Sequence, residues 1–282
     1  MLDNLGPRIP FVKMQGSGND FVVIDNRKWR VPVAAMADWA KAVCRRAFGV
    51  GADGLFFLEN PPADRPGVDF IWHFYNADGS RAEMCGNGSR CAARLAHLLG
   101  MAPARHVIGT DAGPVHAQVL EDGRVKVLLT PAKDARLNIA LPAADKTYRA
   151  HFVNTGVPHT VLFVDDASKV DLANLGRAIR FHETFAPKGT NVNFAQVLGE
   201  RSMLLRTYER GVEAETFACG TGASAAVYLS HKLGLTGPEV NVTTSGGEQL
   251  TITVEGADVF LAGAAVATFT GELLLESIGL SL

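Results

Sequence analysis

Two segments of this chain repeat one another, and their separation limits what the chain can fold into. MCGNGSRCAARLAHLLG begins at Met84 and ACGTGASAAVYLSHKLG begins at Ala218. Cys85, Gly86, Gly88, His97 and Gly100 of the first recur 134 residues later as Cys219, Gly220, Gly222, His231 and Gly234. The same offset puts Phe74 on Tyr208 and Gly113 on Gly247. Upstream the offset widens: GADGLFF from Gly51 resembles GTNVNFA from Gly189, and GSGNDFVVID from Gly16 resembles GVPHTVLFVD from Gly156. One widening falls at the Pro-rich loop NPPADRPGVD, which the second half shortens to VLGERS. A period this long implies two similar domains from an internal duplication, not a solenoid.

Within each half, short β-branched or aromatic runs bounded by Gly, Pro, Asp or Asn read as strands. They are FVVID, GLFFLE, DFIWHFY, HVIGT and VKVLLT, then TVLFVD, VNFAQV, MLLRTY, VNVTT, LTITVE and DVFLA. VFLAGAAVATF from Val259 reads as one buried strand, too short to cross a bilayer. AAMADWAKAVCRRAFG and DLANLGRAIRFHETF are amphipathic and predict an outer helix in each half, with Cys44 on the apolar side. A second helix follows each Cys-Gly-x-Gly turn and stops at Gly100 or Gly234. It is apolar on most sides, so it is surrounded. The expected fold class is α+β, with two pseudo-symmetric domains, each a curved, mostly antiparallel sheet wrapped around a central helix. His97 and His231, about 18 Å along their helices from the cysteines at about 1.5 Å per residue, read as structural.

Composition excludes several functions. The 27 basic and 29 acidic residues nearly cancel, and no basic run or aromatic-interleaved basic patch points to nucleic acid. Hydrophobic content of 47% and charged content of 20% suit a globular protein that engages no membrane. MLDNLGPRIPF has neither the basic start nor the apolar core of a signal peptide. Four widely spaced cysteines do not read as a disulfide framework, so a reducing cytoplasm is the expected compartment. Without a CxxC or a nearby His pair they do not read as a metal site either.

The placement of Cys85 and Cys219 suggests chemistry. Each precedes a helix, where backbone N–H groups and the helix terminus favour an anion, so each thiol is expected to have a lowered pKa. Two such termini would hold one carboxylate and stabilise the charge that builds on it when the adjacent carbon loses its proton. One thiolate would remove an α-hydrogen and the opposite thiol would return a proton on the other face. Such a reaction needs no cofactor and no metal. Cys91 maps onto Ala225, so packing of these helices does not itself demand cysteine. A redox couple of Cys85 and Cys219, and a non-catalytic amino-acid-binding protein, are the competing readings.

KMQGSGNDFVVID, GVGADG, FYNADGSRAEMCGNGSRC, GTNVNF and YERGVEAETFACGTGAS together resemble the diaminopimelate epimerases, over essentially the whole chain. The resemblance implies a pyridoxal-independent isomerase that interconverts LL- and meso-2,6-diaminopimelate, on the route to lysine and peptidoglycan. Its site lies in a cleft between two domains. It places the first domain at residues 1–130 plus 270–282, the C-terminal segment returning to complete it, and the second at 131–269. It makes Cys85 and Cys219 the acid/base pair, with Cys219 taking the proton from the LL form. Gly86, Asn87, Gly220 and Thr221 then bind the reacting carboxylate, and Asn19, Asn76, Asn191, Glu209 and Arg210 bind the rest of the small-molecule amino-acid substrate. His159 and Glu209 stand where they would tune the thiols. Two departures thin the contacts to the distal head: Gly54, where many members carry Gln, and Val157, where many carry Asn. A racemase of the same fold acting on proline, hydroxyproline or histidine is the nearest alternative. The sequence leaves the oligomeric state open, with a homodimer as one arrangement it allows.

Overall fold

The structure is a computed structural model that describes residues 6–144 and 146–282. In chain order, the first passage holds β1 (Arg8–Gly16), β2 (Asn19–Asp25), α1 (Asn26–Trp29), α2 (Val33–Cys44), β3 (Gly54–Glu59), β4 (Phe70–Asn76), α3 (Gly86–Leu98), β5 (Arg105–Thr110), β6 (Gly113–Val119) and β7 (Val125–Leu128). There follow β8 (Lys133–Ala143), β9 (Lys146–Asn154), β10 (Pro158–Phe163), α4 (Arg177–Arg180), β11 (Asn191–Gly199), β12 (Ser202–Glu209) and β13 (Ala214–Thr216). The last elements are α5 (Gly220–Lys232), β14 (Glu239–Thr244), β15 (Gln249–Glu255), β16 (Asp258–Gly263) and β17 (Val266–Leu274). The chain falls into two compact units, Met1–Val127 with Ala264–Leu282, and Leu128–Gly263.

The duplication extends to strand pairing. In the first unit β17 pairs antiparallel with β1 and β1 with β2, β2 runs parallel to β3, and β3 pairs antiparallel with β4. Then β4 runs parallel to β5, and β5–β6 and β6–β7 are antiparallel. The second unit runs the same succession through β8, β9, β10, β11, β12, β14, β15 and β16. β8 therefore has, in the second unit, the place that β17 takes in the first. The two parallel pairs in each unit follow from the connections between them, since a parallel pair needs a crossover. α2 lies in the β2–β3 crossover and α3 in the β4–β5 crossover.

Each sheet is covered on two faces, which explains strands such as β3 that are buried almost end to end. On one face of the first unit, Met36, Trp39 and Val43 of α2 pack with Ile24, Leu55, Phe57 and Tyr75. On the other, Phe56 stacks on Phe74 at 4.3 Å and on Trp72 at 4.8 Å. A Cβ at Gly88 in α3 would lie 2.4 Å from Cζ of Phe56, so only glycine lets the helix come this close. The second unit buries Leu172, Ile179 and Phe185 against Leu162, Phe194 and Tyr208. Its helix α5 is buried from Gly222 through Ser230. His97 and His231 play matching structural parts, each ring Nδ1 meeting a carbonyl five residues on, Ala102 O at 3.2 Å and Thr236 O at 3.3 Å.

Two expected elements differ. The helix read over DLANLGRAIRFHETF is broken into one wide turn at Leu172–Gly176, the short α4, and a tight turn at Glu183–Phe185. Side chains start the flanking turns: Asp171 accepts from the Asn174 N–H and His182 Nδ1 from the Thr184 N–H. Such local bonds compete with a continuous helix. VFLAGAAVATF is also not one strand. β16 ends at Gly263 and β17 begins at Val266, because the Ala264 and Ala265 carbonyls accept from Arg90 and Arg94 instead of a strand. Most of β17 is exposed. Among the described residues no helix is long and apolar enough to cross a membrane.

Candidate active site

In the first unit, Cys85 is the N-cap of α3, and its Sγ accepts from the Gly88 N–H at 3.4 Å. Its thiol faces Oδ1 of Asn19 at 3.8 Å, across from the start of β2. Gly86 and Asn87 form the first turn of α3, where Gly86 O accepts from Nη1 of Arg90 at 3.5 Å. Arg90 is fully buried and also donates to Ala264 O at 3.2 Å and to Ser17 Oγ. It ties together the β1–β2 turn, the helix start and the point where the chain re-enters this unit. Asn76 ends β4, donating to Ser80 Oγ at 3.0 Å, and its strand partner is Gly54. A Cβ at Gly54 would lie 2.6 Å from the ring of Phe74, so any side chain there requires Phe74 to move.

In the second unit, Cys219 is the N-cap of α5, and its Sγ meets Thr221 Oγ1 at 3.5 Å. Thr221 O accepts from Thr155 Oγ1 at 3.0 Å, and Gly220 O from Ser224 Oγ at 2.9 Å. The first unit has a similar contact one residue earlier, Ser89 Oγ donating to Cys85 O at 2.9 Å, while Ser224 itself falls on Arg90. His159 and Asn191 are register partners on the parallel pair β10–β11. Asn191 accepts from the Arg210 N–H at 2.8 Å and donates to Pro158 O at 3.1 Å. Arg210 and Val157 line one cavity of about 420 Å³, whose wall includes Arg136 and Lys188. Glu209 is the last residue of β12, immediately before Arg210.

Asn193, fully buried, organises this unit's interior. Its Oδ1 accepts from Thr207 Oγ1 at 3.0 Å, and its Nδ2 donates to Thr160 O at 3.1 Å and to Nδ1 of His159 at 3.0 Å. Because a carbonyl can only accept, the amide orientation is fixed, and His159 carries its proton on Nε2. That Nε2 is buried without a hydrogen-bond partner among the described residues. Burial, followed by the Arg210 charge, pushes the ring down to about 3, so it is neutral at ordinary pH. A Cβ on Gly222 would lie 2.4 Å from Asn193 Oδ1 and 3.2 Å from Cys219 Sγ, so glycine here serves close packing.

The thiols differ from expectation. Burial raises Cys85, and the Gly88 and Asn87 N–H groups and Arg90 pull it back without overcoming that effect. Burial likewise carries Cys219 up to about 11, helped by the charge of Glu209 and opposed by Thr221 and the Gly222 N–H. The helix terminus acts with the expected sign, but desolvation is larger. Glu209 thus acts on Cys219 through its charge, whereas His159, being neutral, brings none. Cys44 is buried and pushed up to about 12, and Cys91 is buried in the core. Among the described residues no three His, Cys, Asp or Glu side chains are grouped to hold a metal ion.

Asp53, Arg90 and Asn193 lie inside the quoted motifs GVGADG, FYNADGSRAEMCGNGSRC and GTNVNF, yet sequence reasoning gave none of them a part in the site. Arg90 did leave a signal, as a charged residue inside a helix read as surrounded. Asp53 falls on Asn191 in the repeat.

The sequence pattern described for "Diaminopimelate epimerase" matches residues 11–134 and 151–268. Diaminopimelate epimerase of Aquifex aeolicus is 48% identical over 276 residues, covering 94% of this chain and 98% of that protein. The enzyme of the same name from a Hydrogenobaculum species is 46% identical over 273 residues, with coverage of 94% and 98%. Among solved structures, a phenazine biosynthesis protein of the PhzF family from Bacillus anthracis superposes with a TM-score of 0.70 at 14% identity, covering 95% of this chain and 99% of that one. At that identity the likeness concerns the fold alone.

Proposed function

This chain belongs to the diaminopimelate epimerase family, and from that premise we propose that it interconverts LL- and meso-2,6-diaminopimelate by a two-thiol mechanism without a cofactor. The observation that carries the reading is the equivalent placement of Cys85 and Cys219, each capping the central helix of one copy of a duplicated unit.

The reacting carboxylate takes backbone N–H groups at the two helix starts, from Gly86 and Asn87 and from Gly220 and Thr221. As the α-hydrogen leaves, negative charge spreads onto this carboxylate, and donors already in place stabilise it without reorganising. One cysteine, as thiolate, takes the α-hydrogen as a proton. The other, as thiol, delivers its own proton to the opposite face, so the α-carbon inverts and the two sulfurs exchange protonation states. Elevated thiol pKa values suit both halves of this step. A thiol of high pKa stays protonated until it donates, and its thiolate is a stronger base than one of low pKa.

The distal amino-acid head calls for a cation at its carboxylate and an anion at its ammonium. Arg210 and Glu209 supply that pair, with Asn19, Asn76 and Asn191 as amide partners. The Val157 side chain offers no hydrogen bond in the Arg210 cavity, so Arg210 carries more of the recognition there. We place the activity in the cytoplasm, where unpaired thiols persist.

The test is α-proton exchange in deuterated buffer, followed by NMR, with LL- and meso-diaminopimelate beside proline, hydroxyproline and histidine. Exchange confined to diaminopimelate is expected. Exchange with proline, hydroxyproline or histidine in its place would assign the chain another substrate, and exchange with none would remove the epimerase reading.

A further inference from the structure

We propose that Asp53 is a positioning residue that holds the Asn19 amide so that its oxygen, not its nitrogen, faces the thiol of Cys85. Oδ2 of Asp53 accepts from Nδ2 of Asn19 at 2.6 Å and from the Asp20 N–H at 3.2 Å. Its Oδ1 accepts from Nη2 of Arg46 at 3.1 Å. A carboxylate only accepts, so the NH2 side of Asn19 must turn toward it and Oδ1 toward Sγ, as the 3.8 Å contact shows. An unconstrained amide has no such preference, because its two ends are nearly the same size.

Asp53 is itself held from several directions. Its N–H donates to Oδ1 of Asp20 at 3.1 Å, and its carbonyl accepts from the Ala77 N–H at 3.0 Å, just after β4. Asp20 pairs with Lys13 at 2.7 Å and with Arg46 at 2.9 Å. Burial acts to raise the Asp20 carboxyl, yet these cations hold it below the usual carboxylate range. The carboxylate that orients Asn19 thus stands in a charged network with β1 and the end of α2, not on a free loop.

The duplication supports the assignment. Asn19 falls on His159 in the repeat, and there Asn193 fixes which ring nitrogen carries the proton. Each unit therefore immobilises the polar group at this position through a neighbouring side chain, using a different chemical device in each. An acceptor aimed at Cys85 favours the S–H form. The charge of Asp53 acts on the thiol in the same direction.

The inference rests on the reading of Cys85 as a catalytic thiol, but its test requires no turnover. The full chain is alkylated with iodoacetamide at pH 8, and the rate at Cys85 is followed by peptide mass spectrometry. It is compared for wild type, Asp53→Asn, Asn19→Ala and the double variant, each checked for cooperative thermal unfolding. With Asn19 present, Asp53→Asn is expected to speed Cys85 alkylation about tenfold, the equivalent of one pKa unit. In the Asn19→Ala background the same change should give no more than about threefold, since only the through-space charge remains to be removed. Should Asp53→Asn fail to fold, Asp53→Ser, which keeps the backbone bonds of residue 53, replaces it in both backgrounds. Equal acceleration with and without Asn19, or none in either, would overturn the proposal while leaving the epimerase reading standing.

Discussion

The amide nitrogen of Asn193 donates to Nδ1 of His159 across 3.0 Å, and this contact fixes the imidazole as a neutral Nε2–H donor. The ring is therefore expected not to titrate in the ordinary range. Its pKa of about 3 in the fold lies below the value near 6.5 of a free histidine. Between those values the unfolded chain binds the extra proton, so the contribution to stability is complete above about pH 6.5 and is lost as pH falls toward 3. The imidazole 15N shifts of His159 should report the Nε2–H tautomer and stay constant from pH 8 to about pH 5, where an ordinary histidine would have protonated. A titration midpoint near 6.5 would contradict the packing described.

Gly88 and Gly222 let Phe56 and Asn193 come in where a methyl group would otherwise stand. Alanine at either position puts a Cβ about 2.4 Å from Phe56 or Asn193, and overpacking of this kind costs about 1–3 kcal/mol. Denaturant midpoints should fall for both variants. At Gly222 the thiol of Cys219 must also shift, so Gly222→Ala should lose activity beyond its loss of stability.

Glu209 lies close enough to Cys219 for its charge to raise the thiol. Glu209→Gln should move the alkylation midpoint of Cys219 down from about 11, whereas Cys85 should keep its profile. Rates mapped by mass spectrometry across pH 8–11 provide the check. An unmoved Cys219 midpoint would remove Glu209 from its electrostatic role.

Arg210 shares its cavity with Val157, a side chain without hydrogen-bonding capacity. If Arg210 grips the distal carboxylate, Arg210→Ala removes a hydrogen bond to a charged group worth about 1.5–3 kcal/mol. For diaminopimelate, kcat/KM should therefore fall about 10–150-fold, mainly through KM. A fall carried by kcat alone would place Arg210 at the reacting carbon instead.

The repeat announced the fold at long range: residues matched by offset belong to elements that pair in the same succession in both units. What escaped the sequence was a matter of environment. β8 and β17 are exposed on both faces along much of their length, so neither shows the alternation that marks a half-buried strand. DLANLGRAIRFHETF has the period of a helix, yet Asp171 and His182 divert the backbone into separate turns. The cysteines and their helix termini were legible from Cys-Gly-x-Gly, but the direction of their pKa shifts was not. Sequence shows the N–H donors beside a thiol and conceals how much water the folded chain removes from it. Asp53 was hidden for a related reason, since its part depends on which end of the Asn19 amide it faces.

The central claim is that two different thiols handle the two faces of one carbon, and isotopic labelling early in the reaction tests it most directly. LL-diaminopimelate is converted in deuterated buffer and stopped after a small fraction has reacted, then product and remaining substrate are separated and weighed by mass spectrometry. Two thiols predict meso product carrying one solvent deuterium at the inverted carbon while the recovered LL form keeps its protium. They also predict that Cys85→Ala and Cys219→Ala each lower epimerisation by about 10²–10⁴-fold, as loss of an acid/base group does. Protium carried over into the product, or full turnover in either single variant, would contradict the account.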